Sequence, residues 1–234
     1  MTGIPVLISS LATSAPGCEP LSTGALKEPV AAVTSLAFVL AALAIPAAAR
    51  HGGHAVGSAP PDGNARAPAV RTYAVLCAGI GVGSVIQHGP DPSWSGVAHG
   101  LPLAGMLAFV AADAVADLSG RARALWWWVV PTAGVAPLLI ASPRTADAAQ
   151  AALATIAILV TLARARARNR LRRRVALALA LLTLGATIGT LSRAGGLLCA
   201  PESIWQGHAF WHVLASAALV VLAPVIASRQ TPRR

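Results

Sequence analysis

Apolar residues fall in seven runs along the 234-residue chain, separated by short polar gaps. The runs are Pro29–Ala49, Thr72–Gly89, Val97–Val115, Ala124–Ala141, Ala148–Ala163, Val175–Leu191 and Gly207–Ala227. A bilayer's hydrocarbon core takes about 20 apolar residues as a helix. The pattern therefore predicts an all-α bundle of seven transmembrane helices, with the fifth run the shortest and weakest. Gly79, Gly81 and Gly83 thin one face of the second helix, as close helix packing in a membrane requires. The Gly- and Pro-rich stretch Arg50–Arg71 reads as a flexible loop. The whole chain forms one integral domain: an N-terminal segment over residues 1–28, helices over 29–227 and a tail over 228–234.

Composition agrees. The chain is 56% hydrophobic and 11% charged, which fits a polytopic membrane protein. The N-terminus lacks a basic region before its short apolar stretch, so no cleaved signal peptide is expected. The net charge of +10 does not point to nucleic acid, because the cations sit in gaps between helices. Arg50, Arg66 and Arg71 fill the first gap, Arg121 and Arg123 the third, and seven arginines from Arg164 to Arg174 the fifth. Arg229, Arg233 and Arg234 fill the tail. That places 15 of the 18 basic residues on one side, leaving Lys27, Arg144 and Arg193 on the other. The positive-inside rule then puts the C-terminus in the cytoplasm and the N-terminus outside, in a multi-pass cell-membrane protein. The Arg-rich gap mainly sets topology, with anionic headgroups as a further contact.

Orientation brings four histidines to one depth near the outer boundary. His88 ends the second helix, His99 begins the third, and His208 and His212 begin the seventh. His208 and His212 lie one helical turn apart and share a face, a spacing that suits one metal ion. Interfacial histidines bonded to neighbouring helices are the plainer reading, but ionisable groups inside a membrane are costly unless paired or liganded. Ser84 lies one turn before His88, placed to hold a water or a developing oxyanion, or simply to bond another helix. Three His ligands and an open position make a catalytic zinc arrangement, in which the metal acidifies a water and polarises a carbonyl. Cys18 and Cys199 both fall outside, where a disulfide can form and pin the N-terminal segment over the site. Cys77 reads as a small buried hydrophobe. Glu19 and Glu28 share that side and suit a hard cation such as calcium, or are solvated acids at a helix start. His51 and His54 are expected to be solvated on the inner side.

Ser84-Val-Ile-Gln-His88 resembles the SxxxH motif on helix two of alkaline ceramidases and related seven-helix membrane hydrolases, a superfamily that includes the adiponectin receptors. Gly207-His-Ala-Phe-Trp-His212 resembles their HxxxH motif on helix seven. Cys18-Glu19, Glu28-Pro29 and Cys199 resemble the N-terminal segment and paired cysteine of the ceramidase branch. The resemblance implies zinc on His88, His208 and His212, Ser84 beside the bound water, and hydrolysis of a ceramide-like lipid amide. It also implies calcium at Glu19 and Glu28. The family's Asp at the start of helix three has no counterpart, since Ser95-Gly-Val-Ala-His99-Gly-Leu-Pro102 holds no acid. His99 first, and Asp91 second, are expected to move protons instead. The alternatives are a non-catalytic zinc-containing receptor or lipid-binding relative, and a transporter using the histidines as a relay. A transporter places such groups nearer the midplane.

Overall fold

Each of the seven runs forms a helix, and all but the fourth and seventh extend beyond the apolar residues that announce them. A computed structural model describes residues 17–55 and 63–228, and side chains outside 52–66 within these. Residues 1–16 and 229–234, on which the signal-peptide reading and most of the tail fall, lie outside the described residues, as does the side chain of His54. The helices are α1 (Pro29–Ala55), α2 (Gly63–His88), α3 (Ser95–Ser119), α4 (Trp126–Ala141), α5 (Pro143–Ala167), α6 (Arg172–Leu191) and α7 (Gly207–Ala227). No strand occurs among the described residues. Six helices are long and apolar enough to cross a membrane, and α4 is a shorter apolar helix.

Two expectations need correction. The stretch Arg50–Arg71 is largely helical, since α1 runs on to Ala55 and α2 begins at Gly63. Hydropathy marks where a helix meets lipid, whereas Ala and Arg carry a helix onward through their backbone propensity. The shortest helix is the fourth rather than the fifth. Helix α5 has 25 residues. Ser142 caps it by accepting a bond from the Thr145 amide at 3.2 Å, and Pro143 occupies its first turn, where a missing N–H costs nothing. Arg144, Asp147 and Gln150 at its start, and Arg164 and Arg166 at its end, dilute its apolar run.

Helix α1 packs on α2 and α7, α2 on α3, α3 on α4 and α5, and α6 on α7. Glycines set the closest approaches. A Cβ on Gly83 would lie 2.2 Å from the Ala98 carbonyl oxygen and 2.6 Å from the His99 Cα. One on Gly81 would lie 2.8 Å from Val39. The thinned face of α2 thus admits α1 on one side and the start of α3 on the other. Cys77 is buried in this packing, its thiol 3.2 Å from the Phe38 carbonyl oxygen.

At the far end of α3 lies a cluster that hydropathy did not reveal. Arg164 is buried and donates to Asp113 at 3.0 Å and Asp117 at 2.9 Å. Arg123 reaches Asp113 at 2.6 Å, and Arg168 sits 3.5 Å from Asp117. Arg164 therefore lies within α5 and ties it to α3 instead of standing in a solvated loop. A buried arginine is stable only with its carboxylates beside it. His51, on the last turns of α1, is exposed and bonds the Ala47 carbonyl at 2.8 Å.

Candidate metal centre

The end of α2 and the start of α7 meet, and each carries two polar residues one turn apart. Ser84 and His88 project from α2, and His208 and His212 from α7. His88, Ser84 and His212 are buried, while His208 is partly exposed. The three rings lie with centroids 4.5 to 5.2 Å apart. One ligand atom from each histidine falls within 4.8 Å of the others, so His88, His208 and His212 can hold a metal ion.

The partners of these rings fix which atoms face inward. His88 Nδ1 lies 2.5 Å from Glu28 Oε2. A carboxylate only accepts, so this Nδ1 carries the proton and Nε2 keeps its lone pair. His212 Nδ1 lies 3.1 Å from Thr34 Oγ1. The Thr34 hydroxyl donates back to the Val30 carbonyl at 2.8 Å, so it accepts from His212, whose Nε2 also keeps a lone pair. These tautomers are assigned from the bonding network. Ser35 donates to the Ala31 carbonyl at 2.7 Å and meets Ser84 Oγ at 2.7 Å. The Ser84 proton therefore goes to Ser35, and its oxygen turns a lone pair toward His212 Nε2, 3.4 Å away.

His88 Nε2, His212 Nε2 and Ser84 Oγ thus turn lone pairs inward, as a cation requires, while His208 Nε2 donates to His88 Nε2 at 3.2 Å and becomes a ligand atom once its proton sits on Nδ1. Tetrahedral zinc with ligands at about 2.0–2.1 Å sets ligand atoms about 3.3–3.4 Å apart. His88 Nε2 and His208 Nε2 are 3.2 Å apart, and one ligand atom from each of the three histidines lies within 4.8 Å of the others. The Nδ1 bonds to Glu28 and Thr34 are the outer partners that hold ligating rings in place.

The other expected residues divide. His99 begins α3 beside the cluster but does not belong to the three-ligand group. Its Nδ1 is buried and has no hydrogen-bond partner among the described residues. Asp91 does not fold inward. Its side chain is 41% exposed and pairs with Lys27 at 3.0 Å, and Ser95 donates to it at 2.6 Å. A left-handed φ of 44° at Asp91 turns the loop outward. The Ser95 bond, then the Lys27 ammonium, hold its carboxyl below the usual carboxylate range, which makes it a poor proton acceptor.

Glu19 and Glu28 do not converge in a three-ligand group among the described residues. Both Glu19 oxygens accept amide bonds at the start of α1, from Val30 at 2.6 Å and Ala31 at 2.9 Å. That caps the helix and places a negative charge at its positive end. Glu28 serves His88. Cys18 and Cys199 form a disulfide with Cα atoms 5.4 Å apart, joining the segment that carries both acids to the loop before His208.

Thr34 and Ser35 were not singled out by sequence. Their only signal is two adjacent hydroxyls in an otherwise apolar helix, which is ordinary in membrane helices.

No protein-family model matches the chain, and no curated protein is similar to it at a significant level.

Proposed function

We propose that the chain is a zinc-dependent membrane hydrolase resembling the alkaline ceramidases, cleaving the amide bond of a ceramide-like lipid. The observation that carries this reading is the convergence of the imidazoles of His88, His208 and His212 within reach of one metal ion, with Ser84 against His212. Three imidazole donors with a fourth position left open suit zinc. Zinc bound there supplies Lewis acidity toward a carbonyl oxygen and lowers the pKa of a water.

The chain's own groups supply the rest. Glu28 and Thr34 hold His88 and His212 with their Nε2 lone pairs inward. Ser84, which donates its hydrogen bond to Ser35, accepts a hydrogen bond from water and orients it. This replaces the oxyanion-stabilising role expected from sequence. His99 Nδ1 takes a proton from the attacking water and returns it to the departing amine, the general acid–base role open to imidazole near neutral pH. Burial of Glu28, Ser35, Ser84, His88 and His212 limits access by bulk water. The topology that accompanies this reading puts the site at the outer face and the C-terminus in the cytoplasm.

The absence of a carboxylate at the start of α3 favours one second reading, a non-catalytic metal-containing lipid receptor. Metal analysis with a fluorogenic-ceramide assay separates the two. The expected result is one zinc per chain, lost in His212→Ala. His99→Gln should keep the zinc while turnover falls about 10²–10⁴-fold. Zinc without turnover would establish the receptor reading. Absence of stoichiometric metal in the native chain would overturn both.

A further inference from the structure

The loop between α6 and α7, residues 192–206, is built inside out. Its large apolar side chains point outward: Leu197 is 87% exposed, Ile204 73% and Trp205 73%, with Leu198 half exposed. Two of its polar side chains, Ser192 and Gln206, point inward. Gln206 is buried, and its side-chain amide reaches the carbonyl oxygens of Ala200, Pro201 and Ser203 at 3.3, 3.2 and 2.5 Å. The Leu198 amide donates to the Leu191 carbonyl at 2.9 Å, and the Gly196 amide to the Arg193 carbonyl at 2.7 Å. The Trp205 amide donates to Ser203 Oγ at 3.0 Å. A loop in water has no need to satisfy its own carbonyls while exposing leucine and tryptophan. A loop against lipid needs both.

We propose that this loop inserts into the bilayer at the headgroup–acyl boundary of the leaflet on the metal-centre side. The occupant of the apolar surface is lipid, because the patch continues a lipid-facing one. Leu177, Leu184 and Leu191 form an exposed stripe of period seven on α6. On α7, Phe210 is exposed and stacks with Trp205 at 6.0 Å between centroids. The loop's exposed charges, Arg193 and Glu202, set the depth. They belong at the headgroups, so the loop lies in the interface with its apolar side chains directed into the acyl region, where tryptophan is favoured. The loop is pinned at Cys199 by the disulfide and runs through Gln206 directly into His208. Lipid bound along it therefore lies next to the metal centre. This inference does not rest on hydrolysis.

Spin labels at Leu197→Cys and Ile204→Cys test it, in the full chain reconstituted in phosphatidylcholine vesicles without reductant. Val213→Cys on α7 serves as the lipid-facing reference and Thr23→Cys as the aqueous one. The expected result is greater accessibility to oxygen than to a water-soluble nickel chelate at both loop positions, as at position 213. Greater accessibility to the nickel chelate, as at position 23, overturns the proposal. Shielding from both reagents also overturns it and assigns the patch to a protein contact, a second copy of the chain included. The otherwise unsubstituted protein supplies an independent readout. Brominated phosphatidylcholine should quench the tryptophan emission that Trp205→Phe removes. Persistence of that emission in brominated lipid overturns the proposal even if a cysteine variant fails to fold.

Discussion

Glu28 lies outside the three-histidine group, yet its removal should be felt at a metal bound there. Its carboxylate holds the Nδ1 proton of His88 at 2.5 Å, and both side chains are buried. Glu28→Gln keeps the shape and loses the negative charge that makes the imidazole a stronger ligand. Zinc affinity should fall about 10–100-fold, measured by competition with a chelating dye. Unchanged affinity would show that the carboxylate does not act through His88. At this scale the sequence was a good guide to which histidines converge, because SxxxH and HxxxH fix each pair to one helix face. It was a poor guide to the partners of those ligands. Thr34 and Glu28 meet the histidines only through folding, at 178 and 60 residues' separation. Asp91 illustrates the converse error: it is close to His88 in sequence, but its left-handed turn carries it to Lys27.

Between elements, a glycine and an arginine fix how α3 lies. Gly83→Ala would set a Cβ 2.2 Å from the Ala98 carbonyl oxygen, a main-chain atom that cannot swing aside. The change should cost about 1–3 kcal/mol, the usual range for overpacking, and displace His99 with it. Gly96→Ala meets nothing within 4 Å and should leave thermal unfolding in detergent unaltered. Equal melting of the two variants would remove Gly83 as the spacer between α2 and α3. At the other end, Arg164→Leu strips Asp113 and Asp117 of their shared buried partner. A loss of about 3–5 kcal/mol is expected, reduced when Asp117→Asn is added. An unaltered melting temperature for Arg164→Leu would show that the ion pairs are not what joins α3 to α5. Hydropathy could not foresee this clasp, since it counts Arg164 as a loop charge. The same averaging made α5 look short, because polar residues occupy both its ends.

Across the whole molecule, the two ends of the bundle differ in the charges they leave exposed. The metal-centre end carries the disulfide and three basic residues, one of which, Lys27, is paired with Asp91. Among the described residues, the opposite end carries Arg50, Arg71, Arg121, Arg123 and the seven arginines from Arg164 to Arg174. Burial of Arg164 in the α3–α5 clasp removes one of these from the surface but does not reverse the asymmetry. Loop arginines resist translocation, so orientation follows their distribution. If α4 crosses with the six longer helices, the odd count puts the termini on opposite sides. A reporter fused after Arg234 should be active in the cytoplasm, and one fused before Gly17 outside. The disulfide supplies a second reading of the same topology, since Cys18–Cys199 is stable where the compartment is oxidising. A membrane-impermeant reductant applied to intact cells should therefore open it. If the C-terminal reporter is external and the disulfide resists that reductant, the bundle is inverted, and the metal centre faces the cytoplasm.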